Sequence, residues 1–253
     1  HYTYCLCGDG CLEEGISQEA ISFAGLQKLN KLILMYDCND VTLDGPLSNS
    51  SVENTVGRFQ SAGWNVIKVE DGNSVEDIDK AITIAKQSQE KPTMIMVHTV
   101  IGYGSAKQGT HKVHGSPLGI EDGEHAKKVY GYNYGPFEVP EEVYYTFRES
   151  FVKRGQEAYA NFAKVWKDYK DENYDEALKI ESTVDNDVST LVYKDIPSYS
   201  EEFADSTRNC SGACLNILNK QVFNLIGGSA DVAGSVMTPV SYTHLRAHET
   251  KAN

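Results

Sequence analysis

Two short runs constrain the fold of the first hundred residues: KLILMY at Lys31–Tyr36 and TMIMV at Thr93–Val97. Neither alternates apolar with polar residues. A strand is apolar on both faces only where both are covered, as in a parallel sheet with helices on each side. The chain order agrees. β-rich runs at Tyr2–Cys7, Lys31–Asp37, Asn65–Val69 and Pro92–Thr99 alternate with helical patterns over about Ser17–Leu29, Val52–Ala62 and Val75–Gln89. In the last of these, Val75, Ile78, Ile82 and Ala85 recur at helical spacing. The expectation is an α/β fold with a doubly wound, mostly parallel sheet, its ligand at the carboxyl ends of the strands.

Charge narrows the partners. The 253 residues carry 36 acidic against 23 basic side chains, a net −13. That balance speaks against nucleic acid or an anionic membrane, both of which need clustered Lys and Arg. With 40% hydrophobic and 23% charged residues, wholesale disorder is excluded. No apolar run approaches the roughly 20 residues of a membrane span. The six cysteines form no C-x-x-C pair, and Cys5 and Cys7 alternate within an apolar stretch. They are read as small buried hydrophobes in a reducing, cytoplasmic setting.

Beyond the sheet, residues 100–123 form a Gly-rich loop, long enough to suggest a functional role. A helix is expected from Pro140 to about Tyr169, with Tyr144, Phe147, Phe151, Tyr159, Phe162 and Trp166 as a packing stripe. Residues 183–207 read as a linker, Cys210–Gln221 as a helix, and FNLIGGSAD as a strand entering a turn. The resulting division is 1–182, the parallel α/β part plus connecting helices; 183–207, linker; 208–239, the start of a second α/β domain; and 240–253, a non-native tail. The tail is set apart because VSYTHLRAHET, from Val240, resembles a translated sequencing adapter. Native sequence is expected to stop near Thr238 or Pro239, and His244 and His248 are not taken as a metal pair. The start at His1, on a strand already under way, gives the expectation of an internal fragment.

Three constellations carry chemistry. Gly8-Asp9-Gly10 stands at one strand end and Asn39 at the next, 30 residues after Asp9. Neighbouring parallel strand ends share an edge, where an Asp carboxylate and an Asn carbonyl can hold a hard divalent cation. The Val41 carbonyl can complete the set, and the glycines admit a diphosphate. By itself, Gly-Asp-Gly also reads as a plain turn. The second constellation is Gly109-Thr-His111-Lys-Val-His114-Gly115, whose histidines suit a hydrogen-bond donor or proton carrier, or a metal. The third joins Arg208, before a helix, to GGSADVAGS, with Asp231 and Ser235. Arg208 and a hydroxyl suit a phosphate ester; alone, Arg208 reads as a surface arginine.

GDGCLEEGISQEA together with YDCNDVTLDG, GTHKVHG and the Arg208/GGSAD pair resembles the transketolase family, over about residues 1–238. The resemblance implies the thiamine diphosphate-binding fold, with thiamine diphosphate and Mg²⁺ (or Ca²⁺ or Mn²⁺) as cofactors. It implies Asp9, Asn39 and Val41 as metal ligands, and Asp9, Gly10, Asn39, Val41, His111 and Asp231 against the cofactor. His111, Arg208 and Ser235 would hold a sugar phosphate, and His111 would move protons. Glu14 would lie at the interface of a homodimer whose active site is shared between subunits, although its place also suits a first-turn carboxylate. The implied reaction moves a two-carbon ketol unit from a ketose phosphate to an aldose phosphate, as in pentose phosphate and Calvin-type interconversions. The 253-residue chain alone is expected to be inactive. Gly234 stands where the family has Pro, and Val236 where it has Asn. A dihydroxyacetone synthase-like enzyme, a deoxyxylulose phosphate synthase and a non-catalytic cofactor-binding homologue share parts of this pattern.

Overall fold

The computed structural model describes residues 1–185, 188–189, 195–222, 224–229 and 231–238, and the backbone of 244–246. Contacts divide the chain into two compact units, His1–Pro136 and Phe137–Asn253.

The first unit is a four-stranded parallel sheet of β1 (Thr3–Gly8), β2 (Leu32–Cys38), β3 (Asn65–Val69) and β4 (Thr93–His98), in the order β1-β2-β4-β3. The two runs that are apolar throughout, β2 and β4, are the central pair. Their side chains divide between two cores on opposite faces. Leu34, Tyr36, Cys38 and Met94 join Leu12, Ile21, Ala24, Phe59 and Trp64 on one side. Ile33, Ile95 and Val97 join Val69, Ala81 and Ala85 on the other. Helices α1 (Asp9–Glu13), α2 (Gly15–Leu26) and α3 (Thr55–Ser61) supply the first face and α4 (Val75–Ala85) the second. This is the doubly wound α/β arrangement expected from the apolar strands. Ser74 caps α4 by accepting the Asp77 N–H at 3.3 Å.

Gly25 shows how closely α2 lies on its neighbour. A Cβ there would stand 1.7 Å from the Ala62 carbonyl oxygen. Beside it, Trp64 stacks edge-on against Phe59 at 5.1 Å and donates its indole N–H to the Ile21 carbonyl at 2.9 Å.

The cysteine reading needs correction. Only Cys38 is buried; Cys5 and Cys11 are exposed, and Cys7, Cys210 and Cys214 are half-buried. For β1 the cause is that among the described residues it is an edge strand, paired with β2 alone, so Cys5 and Leu6 lie open despite their apolar run.

After β4 the Gly-rich segment runs to α5 (Ile120–Tyr130), which ends on Gly131 in the left-handed region at φ 68°. In the second unit, α6 (Glu141–Phe147) passes through a π-helical stretch at Arg148–Lys153 into α7 (Arg154–Glu172). The expected aromatic stripe lies on this helix, but it is not covered as a packing stripe would be. Tyr144, Phe147, Phe151, Tyr159 and Phe162 are exposed, and Phe147–Phe151 and Phe162–Trp166 stack on each other at 5.2 and 6.3 Å. The i,i+4 spacing satisfies the rings within their own helix. α8 (Tyr174–Asp185) is tied to α7 by Lys170 bridging Glu181 at 2.7 Å. Then come α9 (Thr207–Gln221), β5 (Gly227–Ser229) and α10 (Ala233–Val236), with β5 paired in parallel to β6 (His244–Arg246). Most of the tail from 240 onward lies outside the described residues.

Candidate functional site

The parallel register sets Gly8 beside Asp37 and Cys38 beside His98, so the carboxyl ends of three strands meet on one edge. The chain turns from β1 into α1 at Asp9, which is 4% exposed. Its carboxylate accepts the phenolic O–H of Tyr36, a buried residue of β2, and the main-chain N–H of Asn39 at 3.3 Å. Burial pushes the Asp9 carboxyl above the usual range; the Tyr36 and main-chain donors oppose this, and the nearby Asp40 charge adds to it. Tyr36 is itself pushed well above its ordinary value, by burial and by Asp9.

Asn39 uses its side-chain oxygen to accept the Val41 N–H at 3.0 Å, closing a tight turn with Asp40 at φ 60°. Thr42 N–H to Gly45 and Leu47 N–H to Asp40 hold this turn against Pro46. Asp9, Asn39 and Val41 are thus brought together, as the spacing suggested. Two further residues join them that the sequence reading missed. The Cys38 sulfur and an Asp40 carboxylate oxygen lie with an Asp9 oxygen, all within 4.8 Å of one another. The signal was present in YDCND: in a strand, Cys38 must share the face of Tyr36. Burial pushes the Cys38 thiol up to about 11.

A cation fits this donor set. Among the described residues no Lys, Arg or His forms an ion pair with Asp9 or Asp40. Two convergent carboxylates, one of them buried, are left without a compensating positive charge. The main chain beside it is open: a Cβ on Gly8 or Gly10 would meet nothing within 4 Å, so a ligand could approach it closely.

Glu14 is the N-cap of α2, yet its side chain makes no capping bond and is exposed. His111 opens a 3₁₀ turn, His111–Val113, between Gly109 and Gly115, both at positive φ, and is exposed. This loop leaves the same sheet edge: Thr99 donates to the Cys38 carbonyl at 3.1 Å, and Gly109 to Ile101 at 2.8 Å. Val113 seats it, since a Cβ on Gly102 would lie 2.6 Å from a Val113 methyl. His114 holds its Nδ1 buried without a hydrogen-bond partner. Among the described residues His111 makes no side-chain hydrogen bond to Asp9 or Asn39.

In the second unit, Arg208 lies in the first turn of α9 and donates from Nη1 to the Ser235 carbonyl in α10 at 3.5 Å. Of the third constellation, Arg208 and the main chain of Ser235 are thus brought together. The Oγ of Ser206, the residue preceding α9, is buried with no partner. Asp231 is exposed at the turn after β5.

A family model described as transketolase, thiamine diphosphate binding domain, matches residues 1–189. A Streptococcus pneumoniae protein named as a probable transketolase is 43% identical over 255 residues, covering 100% of this chain and 39% of that protein. The transketolase of Bacillus subtilis is 43% identical over 246 residues, covering 95% and 36%. Among solved structures, transketolase from Leishmania mexicana superposes with a TM-score of 0.87 at 35% identity, covering 98% of this chain and 39% of that one. Transketolase from Pichia stipitis in complex with sedoheptulose-7-phosphate gives 0.85 at 34% identity, covering 95% and 36%. The chain spans 32–39% of the length of the curated relatives it matches.

Proposed function

Because this chain belongs to the transketolase family, we propose that it supplies the cation and diphosphate anchor, and part of the substrate grip, of a ketol transferase. The observation that carries this reading is the buried Asp9 carboxylate, held by Tyr36 and Asn39 and converging with Asp40 without a countercharge among the described residues. Asp9, the Asn39 side chain and the Val41 carbonyl hold Mg²⁺, or Ca²⁺ or Mn²⁺ in its place, and Gly10 and Asn39 flank the diphosphate. Thiamine diphosphate, when bound, supplies the nucleophilic carbon and electron sink that let a ketose release a two-carbon unit to an aldose.

The remaining tasks belong to side chains. His111, on its glycine-flanked turn, holds or moves a proton at a sugar oxygen, since imidazole titrates near neutrality. Arg208 and Ser235 grip the phosphate of a sugar phosphate substrate, the guanidinium giving charge-assisted bonds. Asp231 helps to position the cofactor. Glu14, exposed and not engaged in capping, meets a second subunit in a homodimer whose active site lies at the subunit interface. The setting is cytoplasmic; among the described residues no helix is long and apolar enough to cross a membrane. Outside these roles, 1–182 forms the diphosphate-binding part with its connecting helices, 183–207 the linker and 208–239 the start of the next domain, with 240–253 non-native.

Calorimetric titration of the chain with thiamine diphosphate tests the anchor. Affinity is expected to require Mg²⁺, to vanish with EDTA, and to be lost in Asp9→Ala. Metal-independent binding, or binding retained by Asp9→Ala, overturns the reading.

A further inference from the structure

His111 stands on a loop, and a loop places a side chain only as firmly as its own base is held. Here the base is held by the helix that follows it. From α5, the Asp122 carboxylate accepts the Ser105 hydroxyl at 2.6 Å and the Ala106 N–H at 2.8 Å. Further along the same helix, Tyr130 donates its hydroxyl to the Tyr103 carbonyl, and the two rings stack at 6.2 Å. A Cβ on Gly104 would lie 2.6 Å from the Tyr130 ring, so loop and helix are in direct contact there. Hydrogen bonds then lead from this base to the tip. The Ser105 oxygen accepts the Lys107 N–H at 2.9 Å, and the hydroxyl of Thr110, the residue before His111, donates to the Lys107 carbonyl at 2.7 Å. The Gly104 N–H donates to the Gln108 side chain at 2.9 Å, and the Gly109 N–H to the Ile101 carbonyl at 2.8 Å.

In this arrangement Asp122 carries the charge. Hydrogen bonds to an ionised acceptor are about twice as strong as neutral ones. The Ser105 hydroxyl, followed by the Ala106 N–H, holds the Asp122 carboxyl below the usual carboxylate range, so it is ionised near neutrality. Ser105 is 4% exposed, so water does not replace the acceptor that its hydroxyl would lose. We propose that Asp122 is a positioning residue for His111: by holding Ser105 and Ala106, it sets where the imidazole meets the sugar oxygen. Its carboxylate acts on the loop and not on the reacting atoms. A reacting group misplaced by about 1 Å loses on the order of 100-fold in rate, which gives a remote brace of this kind its leverage. This rests on the reading that His111 works at a sugar oxygen.

The test is a double-mutant cycle in a full-length enzyme carrying this chain: unsubstituted, Asp122→Ala, His111→Ala and the two combined. Folding is verified by circular dichroism, and kcat, KM for a ketose phosphate and thiamine diphosphate affinity are measured for each. Asp122→Ala is expected to lower kcat at least about tenfold, with cofactor affinity unchanged because the Asp9 anchor is untouched. In the His111→Ala background the same substitution is expected to cost nothing more, since a group that acts only through His111 then has nothing left to position. Ser105→Ala, which removes the donor instead of the acceptor, carries the same comparison should Asp122→Ala not fold. An unchanged kcat in the single variant overturns the inference. So does a loss that persists undiminished without His111, which marks a general structural role. If His111→Ala by itself leaves kcat unchanged, the reading of His111 falls and takes this inference with it.

Discussion

Removing the Tyr36 hydroxyl takes away the donor on which the anchor depends, together with its weaker contact to the Cys38 thiol. In Tyr36→Phe the ring still fills its place in the core, but Asp9 loses its side-chain donor. A hydrogen bond to a charged group contributes about 1.5–3 kcal/mol, and one between neutral groups about 0.5–1.5 kcal/mol. Asp9 is almost wholly buried, so water cannot replace the donor, and the upper range applies while the carboxyl is ionised. The sign in pH follows from the direction of its shift. The folded-state value of Asp9 is raised, so its contribution to stability is complete below the unfolded value and is lost as pH rises through the folded one. Tyr36 opposes that loss, and Tyr36→Phe raises the Asp9 value further. The variant is therefore expected to cost about 1.5–3 kcal/mol at pH 7, shrinking towards the neutral-bond range as pH falls through the raised folded value. Urea denaturation of the metal-free chain at a series of pH values measures this. A cost below about 0.5 kcal/mol at pH 7, or one independent of pH, refutes the reasoning.

Three more outcomes follow from single contacts. Asp9→Asn removes the buried charge while keeping an acceptor for Tyr36, so the metal-free chain is expected to unfold at equal or higher urea at pH 7 while losing Mn²⁺ binding. Marked destabilisation counts against Asp9 being held charged for a ligand. Gly25→Ala drives a methyl into the Ala62 carbonyl, 1.7 Å away, and is expected to cost about 1–3 kcal/mol by overpacking; an unchanged urea midpoint shows that the α2 approach is looser than described. Arg208 is exposed, so Arg208→Ala is expected to change stability by less than about 0.5 kcal/mol. In a full-length enzyme carrying this chain it raises KM for a phosphorylated ketose at least about tenfold, with little change for the unphosphorylated sugar, and equal effects on both sugars remove Arg208 from the phosphate site.

Much of the fold was legible because apolar pattern and burial are two views of one requirement. KLILMY and TMIMV had to be covered on both faces, and they are the central strands β2 and β4. The pattern misled where an apolar run meets no cover. Cys5 and Cys7 read as buried, yet they lie on an edge strand, Cys5 exposed and Cys7 half-buried, because composition carries no information about a strand's neighbours. The aromatic residues around Phe147 and Phe162 read as packing and instead stack within their own helix, which the same i,i+4 spacing permits.

The chain's residues alone specified the alternation of strand and helix, the parallel sheet, and the three groups centred on Asp9, His111 and Arg208, since these depend on local propensity and on period. Tertiary structure alone decided what surrounds them. Tyr36 as the donor to Asp9, Cys38 and Asp40 beside its carboxylate, and the Ser235 carbonyl as the Arg208 acceptor come from elements distant in sequence. Register and helix packing set such meetings to within an ångström, and hydrogen bonding and metal coordination are decided at that scale.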